Sequence, residues 1–352
     1  MPNQPLNHEP ALDGLRALAV LAVLVFHATP DLLPGGFIGV DVFFALSGYL
    51  ITRLLVLEYT QSGQLSVWRF YARRLWRLAP ALCLLLLVYS AVVFGLRGQS
   101  LWGPLGLDVA LSFTYTSNWA RALGWHQPVD LGHIWSLAVE EQFYLVWPLA
   151  LGVLFRFVPH PDKRLKIIIA LAALSWLWRV VLLYQGASVD RLYNGTDVRA
   201  ETLLWGAALA MWVKSNKKQV DREPVMDWKP WLVPIFFLLA LMTADWTDAG
   251  FYTWGMTFVA WLSVFWIQGL HTGQWRWHLI LLRWGPLVWI GKISYGLYLW
   301  HFPIIRELMA FQVSGLNLLF ACLVLSVAMA TLSYLYLERP LLLIRDERYR
   351  KD

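Results

Sequence analysis

Charge is scarce in this sequence. Asp, Glu, Lys and Arg make up 15% of its 352 residues, against about 25% in soluble domains. Apolar residues make up 58%, and the mean hydropathy is +0.51. A single soluble core also stops growing near ~250–300 residues. Together these exclude a secreted module, a DNA-binding domain and a disordered scaffold. Cysteine is almost missing: Cys83 and Cys322 both lie inside apolar runs, which suggests neither a disulfide framework nor a cysteine-based metal site. No metal is expected. No cleavable leader is expected either, because the first apolar segment follows a polar stretch and carries Asp13 and Arg16; it reads as a retained anchor.

What the chain has instead is a succession of apolar stretches near the ~20 residues that a bilayer crossing needs. Candidate spans are Ala11–Thr29, Phe37–Leu57, Pro80–Leu96, His133–Phe155, Leu165–Tyr184, Val198–Val213, Trp231–Ala244, Phe251–Leu270, Val288–Arg306 and Leu316–Leu337. A further stretch, Leu105–Ala122, is interrupted by Asp108, Ser112, Thr114, Thr116, Ser117 and Asn118. If it lies at the interface or re-enters, one side collects Arg69, Arg73, Arg74, Arg77, Arg156, Lys163, Arg164, Lys166, Lys214, Lys217, Lys218, Arg222, Arg276, Arg283 and the closing Arg339, Arg345, Arg348, Arg350 and Lys351. The opposite loops hold almost none. The positive-inside rule then puts both termini in the cytoplasm, and it accounts for the net charge of +6 without any nucleic-acid partner. The expected fold is an all-α polytopic bundle of about ten transmembrane helices, with a juxtamembrane basic helix and one interfacial or re-entrant segment. Residues 1–340 form one membrane domain and 341–352 a basic cytoplasmic tail. Tryptophans near span ends, such as Trp68, Trp125, Trp228 and Trp246, fit an aromatic belt at the headgroups.

Ionisable groups inside spans cost at least ~2.5–3.5 kcal/mol on insertion scales and so face a bundle interior or a wet cavity. Asp13 and Arg16, three apart, can pair on one helix face. Arg16 and His27, eleven apart, project within ~20° of each other about 16 Å apart along the axis. Asp41 is expected near the same mouth as His27, where an acid could fix the imidazole tautomer. Ser47 and Gly48 allow a helix or a ligand to come close to the backbone. On a helix Arg69, Arg73 and Arg77 make one basic stripe with Arg74 beside it. That stripe suits a lipid-headgroup anchor or a phosphate clamp. Glu140 and Glu141 are hard to explain as packing, and His133, seven residues before Glu140, falls on the same face of a continuous helix. Trp135 and Tyr144 flank them. The ninth span carries Tyr298 and His301, with Pro303 marking a kink. Arg199 and Glu201, at the outer end of the sixth span, could face a substrate.

Leu12-Asp13-Gly14-Leu15-Arg16-Ala17 with His27, Gly39-Val40-Asp41-Val42-Phe43-Phe44 ending in Ser47-Gly48-Tyr49, Arg73-Arg74-Leu75-Trp76-Arg77, Trp135 through Tyr144, Ile293-Ser294-Tyr295 with Tyr298-Leu299-Trp300-His301, and Glu338-Arg339-Pro340 together resemble the acyltransferase 3 family of membrane O-acyltransferases. The motifs run in the family's order along nearly the whole chain, without the fused esterase-like domain that some relatives carry. The resemblance implies a multi-pass enzyme of the bacterial cytoplasmic (inner) membrane. It would take an acyl group, commonly acetyl, from cytoplasmic acyl-CoA to a hydroxyl of a sugar or other extracytoplasmic acceptor, with no permanently bound cofactor. It also implies that Arg16 and His27 are essential and that Arg73, Arg74 and Arg77 belong to the donor site. Ester formation needs a base for the hydroxyl proton and a stabiliser for the oxyanion. His27 is the expected base, Arg16 the group that polarises or holds the donor, and Glu140 or Glu141 the group that tunes a cationic partner. Asp13, Ser47, His133, Trp135, Tyr144, Tyr298 and His301 are expected to line the cavity. A proton-coupled transporter would use a similar buried Asp/Arg/His/Glu network, but the two related halves typical of such carriers are not visible. The sequence is silent on oligomeric state.

Overall fold

The computed structural model of the chain describes residues 9–96, 102–215 and 229–351. Lys217, Lys218, Arg222 and Trp228 lie outside the described residues, as do the side chains of Arg348, Arg350 and Lys351. Among the described residues the regular secondary structure is all helical, with no strand. In order, its helices are α1 (Pro10–Ala28), α2 (Gly39–Ser62), α3 (Val67–Leu96), α4 (Trp102–Phe113), α5 (Ser117–Ala122), α6 (Trp135–Phe157), α7 (Pro161–Tyr184), α8 (Val189–Asn194), α9 (Thr196–Ser215), α10 (Leu232–Thr243), α11 (Gly255–His271), α12 (Arg276–Leu282), α13 (Gly285–Lys292), α14 (Ser294–Ala310), α15 (Gly315–Ser333) and α16 (Arg339–Lys351). Short 3₁₀ turns at Gly36–Ile38 and Gly132–Ile134 lead into α2 and α6, and a π-helical turn at Tyr334–Glu338 joins α15 to α16.

Among the described residues, six helical segments are long and apolar enough to cross a membrane: Pro10–Ala28, Gly36–Ser62, Val67–Gly95, Gly132–Phe157, Pro161–Tyr184 and Gly315–Glu347. The other four expected spans fall on shorter or more polar helices. The sixth is α9, which carries Arg199 and Glu201; the seventh is α10, 12 residues long; the eighth is α11, 17 residues long. The expected ninth span, Val288–Arg306, is not one helix. It breaks at Ile293 between α13 and α14, so that neither piece contains the whole apolar run. The basic stretch before Pro80 is also not a separate juxtamembrane helix. It continues through Pro80 as the first turns of α3, whose 30 residues reach about 45 Å. Leu105–Ala122 forms two short helices with a turn between them, Tyr115 taking a φ of 53°. The 12-residue α4 spans only about 18 Å, too short to cross a ~30 Å hydrocarbon layer.

α1 and α2 occupy the centre, with most of their apolar residues buried in protein, whereas α7 turns most of its surface outward. The backbones of α2 and α9 meet because both helices carry glycine at the crossing. A methyl group on Gly48 would stand 1.9 Å from the Leu203 carbonyl oxygen, and one on Gly206 would stand 2.1 Å from that of Ala45. Gly48 therefore serves helix packing, while its neighbour Ser47 points into the cavity described below. Charges buried in this region pair across helices rather than open to solvent. Arg179 of α7 holds Glu201 of α9 and donates to the Tyr252 carbonyl at 2.8 Å and to the Thr257 hydroxyl at 3.1 Å.

At the end of the bundle where α1 begins, Glu9 ties three segments together. It is ion-paired to Arg53 of α2, and His271 Nδ1 at the end of α11 lies 3.0 Å from Glu9 Oε1. Burial pushes the Glu9 carboxyl up, but the His271 and Arg53 contacts outweigh it and hold the group below its ordinary value of 4.5. A carboxylate whose folded-state value is depressed contributes stability that is complete above the unfolded value and is lost as pH falls through the folded one. The thermal stability gap between the wild-type protein and Glu9→Gln is therefore expected to be full at pH 7 and to shrink below pH 4.5. Thermal unfolding at both pH values checks it, and a gap that widens on acidification contradicts the assignment.

Candidate active site

The stripe of arginines on α3 faces a cavity of about 1170 Å³. Arg69, Arg73 and Arg77 are each four residues apart, so they stand on one helix face and descend about 12 Å into the bundle. Arg74 lines the same space, its guanidinium 4.2 Å from the centre of the Tyr144 ring. Arg16 enters from α1, Ser47 from α2, and Glu140 and Glu141 from α6. The Ser47 hydroxyl donates to Glu140 Oε1 at 2.8 Å, and Arg74 and Arg16 both lie within electrostatic reach of that carboxylate. One end of the cavity is thus rich in guanidinium groups suited to phosphate oxygens. The other end is closed by the hydroxyl-bearing side chains of Ser136 and Tyr298.

Beyond that wall lies a chain of imidazoles. His27 Nδ1 is 3.0 Å from His301 Nε2, and His301 Nδ1 is 2.6 Å from the Tyr298 carbonyl oxygen. A carbonyl only accepts, so the hydrogen of a neutral His301 sits on Nδ1 and its Nε2 is an acceptor. His27 must then donate from Nδ1, which leaves the lone pair on His27 Nε2 free to take a proton. The ring of Phe302 stands edge-on to His27 with centroids 5.0 Å apart and stacks on His133 at 5.2 Å. His133 Nε2 donates to the Leu299 carbonyl at 3.1 Å, while its Nδ1 is buried without a partner among the described residues.

Of the residues expected along the cavity, Ser47, Tyr144 and Tyr298 line it, as do Arg16, Arg73, Arg74, Arg77, Glu140 and Glu141. Asp13, His133, Trp135, His301 and His27 are not among its lining residues. The cavity and the imidazoles are separated by one layer of side chains, and Tyr298 belongs to both. Its hydroxyl lies 2.7 Å from Ser136 Oγ and donates to the His133 carbonyl at 2.9 Å, and its own carbonyl holds His301.

Several placements correct the sequence reading. Asp41 does not orient His27. It is fully buried and ion-paired to Arg199 at 3.1 Å, with Thr202 donating to it at 3.4 Å. Arg199 and Glu201 do not face a substrate either, since both are 1% exposed. The Arg199 guanidinium is enclosed by Phe44, Trp135 and Tyr193, 5.1 to 5.3 Å from their ring centres. Trp135 therefore packs against a structural cation. His133 lies in the 3₁₀ turn before α6 begins, so the seven-residue helical spacing to Glu140 does not apply to it.

The sequence reading missed Ser136, Tyr115, Tyr295 and Arg345 as cavity residues and Phe302 as the ring between the histidines. Ser136 and Tyr295 lay inside quoted motifs. Arg345 looked like one of several tail cations, and nothing local marked it.

Comparison with known proteins places these features in a family. The model of the acyltransferase domain family Acyl_transf_3 matches residues 9–337. The peptidoglycan O-acetyltransferase OatA of Listeria monocytogenes is 42% identical over 211 residues, covering 58% of this chain and 34% of the relative. The O-acetyltransferase OatA of Staphylococcus aureus is 37% identical over 232 residues, covering 62% of this chain and 37% of the relative. The chain thus spans little more than a third of the length of these curated relatives. No solved structure matches.

Proposed function

The chain belongs to the Acyl_transf_3 acyltransferase family, and from that premise we propose that it is a membrane O-acyltransferase carrying an acetyl group from acetyl-CoA to a hydroxyl of a cell-envelope glycan. The observation that carries the reading is the shared residue, Tyr298, which walls the arginine-lined cavity and holds the imidazole chain that ends at His27. The Listeria relative is named a peptidoglycan O-acetyltransferase, which makes a polymeric sugar the acceptor class to test first. The basic mouth faces the cytosol of a bacterial inner membrane, both termini lie on that side, and His27 serves the opposite one.

In this reading the arginines of α3 hold the phosphates of the donor, and the pantetheine arm carries the uncharged thioester toward Ser136 and Tyr298. Turning the Tyr298 ring away from Ser136 joins the cavity to His27. The acceptor oxygen attacks the thioester carbonyl carbon while its proton passes to His27 Nε2. The resulting imidazolium donates from Nδ1 to His301. Arg16 polarises or holds the donor, and Glu140 and Glu141 set the charge balance around Arg16 and Arg74. Collapse of the tetrahedral intermediate re-forms the carbonyl and breaks the C–S bond. The departing thiolate takes the proton back from His27, leaving ester and free coenzyme A.

The test is radiolabelled acetyl-CoA supplied to proteoliposomes with a glycan acceptor. The wild-type protein is expected to place label on the glycan in ester linkage. Arg74→Ala is expected to raise the KM for acetyl-CoA about tenfold or more, the scale of one lost charged hydrogen bond. Label taken up into vesicles but never incorporated sinks the transferase reading in favour of a carrier.

A further inference from the structure

We propose that Arg345, on the C-terminal helix α16, belongs to the donor site and binds a phosphate at the nucleotide end of acyl-CoA. The proposal rests on the donor assignment above and adds to it a residue outside every motif that carries the family resemblance. Arg345 and Asp346 line the same cavity as Arg69, Arg73, Arg74 and Arg77. The chain brings them there because the π-helical turn at Tyr334–Glu338 redirects it into α16, and both the turn and α16 pack against α3. Glu338, at the end of that turn, lies within electrostatic reach of Arg77, the deepest arginine of the stripe. Arg345 is seven residues further on, about 10 Å along the helix, while Arg69 is about 12 Å from Arg77 in the opposite chain direction. Arg345 therefore joins the shallow end of the arginine stripe, beside Glu58, Gln61 and Ser62 at the close of α2.

The two ends of the cavity differ in chemistry. At the shallow end Arg69 and Arg345 stand with Glu58 and with Asp346, whose carboxylate is free to turn to water. At the deep end Arg16 and Arg74 are already matched by Glu140 and Glu141, and Ser136 and Tyr298 add hydroxyls. Acyl-CoA has the same polarity, with multiply charged phosphates at one end and a neutral thioester at the other, so the phosphates match the mouth. In the structure Arg345 donates from Nε at 2.9 Å and from Nη2 at 2.7 Å to one oxygen of Asp346. Asp346 is 55% exposed, so its carboxylate can turn to water when phosphate oxygens take its place. Phosphate suits the guanidinium fork well, because it offers two oxygens where Asp346 now offers one.

Two variants with effects of opposite sign test this. The readout is the ratio of kcat/KM for acetyl-CoA to that for S-acetyl-pantetheine, which has the thioester but not the nucleotide. The ratio does not depend on how much of each protein is folded. Arg345→Ala is expected to lower it about tenfold, the scale of a charged hydrogen bond to phosphate, and Arg345→Lys is expected to recover part of the loss. Asp346→Asn removes the competing carboxylate and is expected to raise the ratio. An unchanged ratio in Arg345→Ala, or a fall in Asp346→Asn, overturns the assignment of Arg345 while leaving the donor site intact. A wild-type protein that uses neither thioester overturns the donor reading itself and this proposal with it.

Discussion

His27→Ala is expected to slow acyl transfer about 10²- to 10⁴-fold, the range a positioned general base contributes, with the fold unchanged. The fold should survive because His27 is only part-buried and, among the described residues, its hydrogen bond is the 3.0 Å contact with His301. The graded series at His301 is more telling. Leucine there removes the acceptor for His27 Nδ1 and frees the ring to take the wrong tautomer. Glutamine keeps a carbonyl oxygen that can accept the same hydrogen. Transfer is therefore expected to fall sharply in His301→Leu and to recover in part in His301→Gln, measured as kcat/KM with acetyl-CoA at equal amounts of folded protein. Equal losses in both would mean that His301 fills space and does not orient His27.

The second large effect is on stability. Removing one partner of a buried ion pair leaves an uncompensated charge and typically costs 3–5 kcal/mol. Asp41 and Arg199 have side chains that are 0% exposed, and the guanidinium sits among three aromatic rings. Asp41→Ala is expected to destabilise the protein by about 3–5 kcal/mol. Asp41→Leu combined with Arg199→Met is expected to recover most of that, because an apolar pair of similar volume no longer needs its charge balanced. Unfolding of the purified protein in detergent checks both. Transfer per folded molecule should change little in the double variant. A protein of normal stability with a large loss in rate would instead return Asp41 to the side of His27.

The sequence made some of these relations visible and hid others for physical reasons. The helical repeat ties Arg69, Arg73 and Arg77 to one face, and that face does line the cavity. Of the ten spans expected from the sequence, six fall on helices long and apolar enough to cross a membrane among the described residues. Asp41 was misread because its partner, Arg199, comes from another helix. Proximity along the chain gave no hint that the glycines at 48 and 206 bring α2 and α9 together. His301 is 274 residues from His27, and no local pattern encodes such a pairing. The break at Ile293 was hidden within a continuous apolar run, where composition does not distinguish one helix from two. Arg345 carried the same charge as its tail neighbours. Only the redirection of the chain at Tyr334–Glu338 sets it apart.

A bundle that joins an arginine-lined donor cavity to an imidazole serving the opposite membrane face must pass an acetyl group from one compartment to the other. This is tested most directly in proteoliposomes of uniform orientation, with labelled acetyl-CoA confined to the side of the basic mouth and the glycan acceptor confined to the other. Labelled ester is expected on the acceptor, and none when the two compartments are exchanged. Ester formed only when donor and acceptor share one side would contradict such a passage.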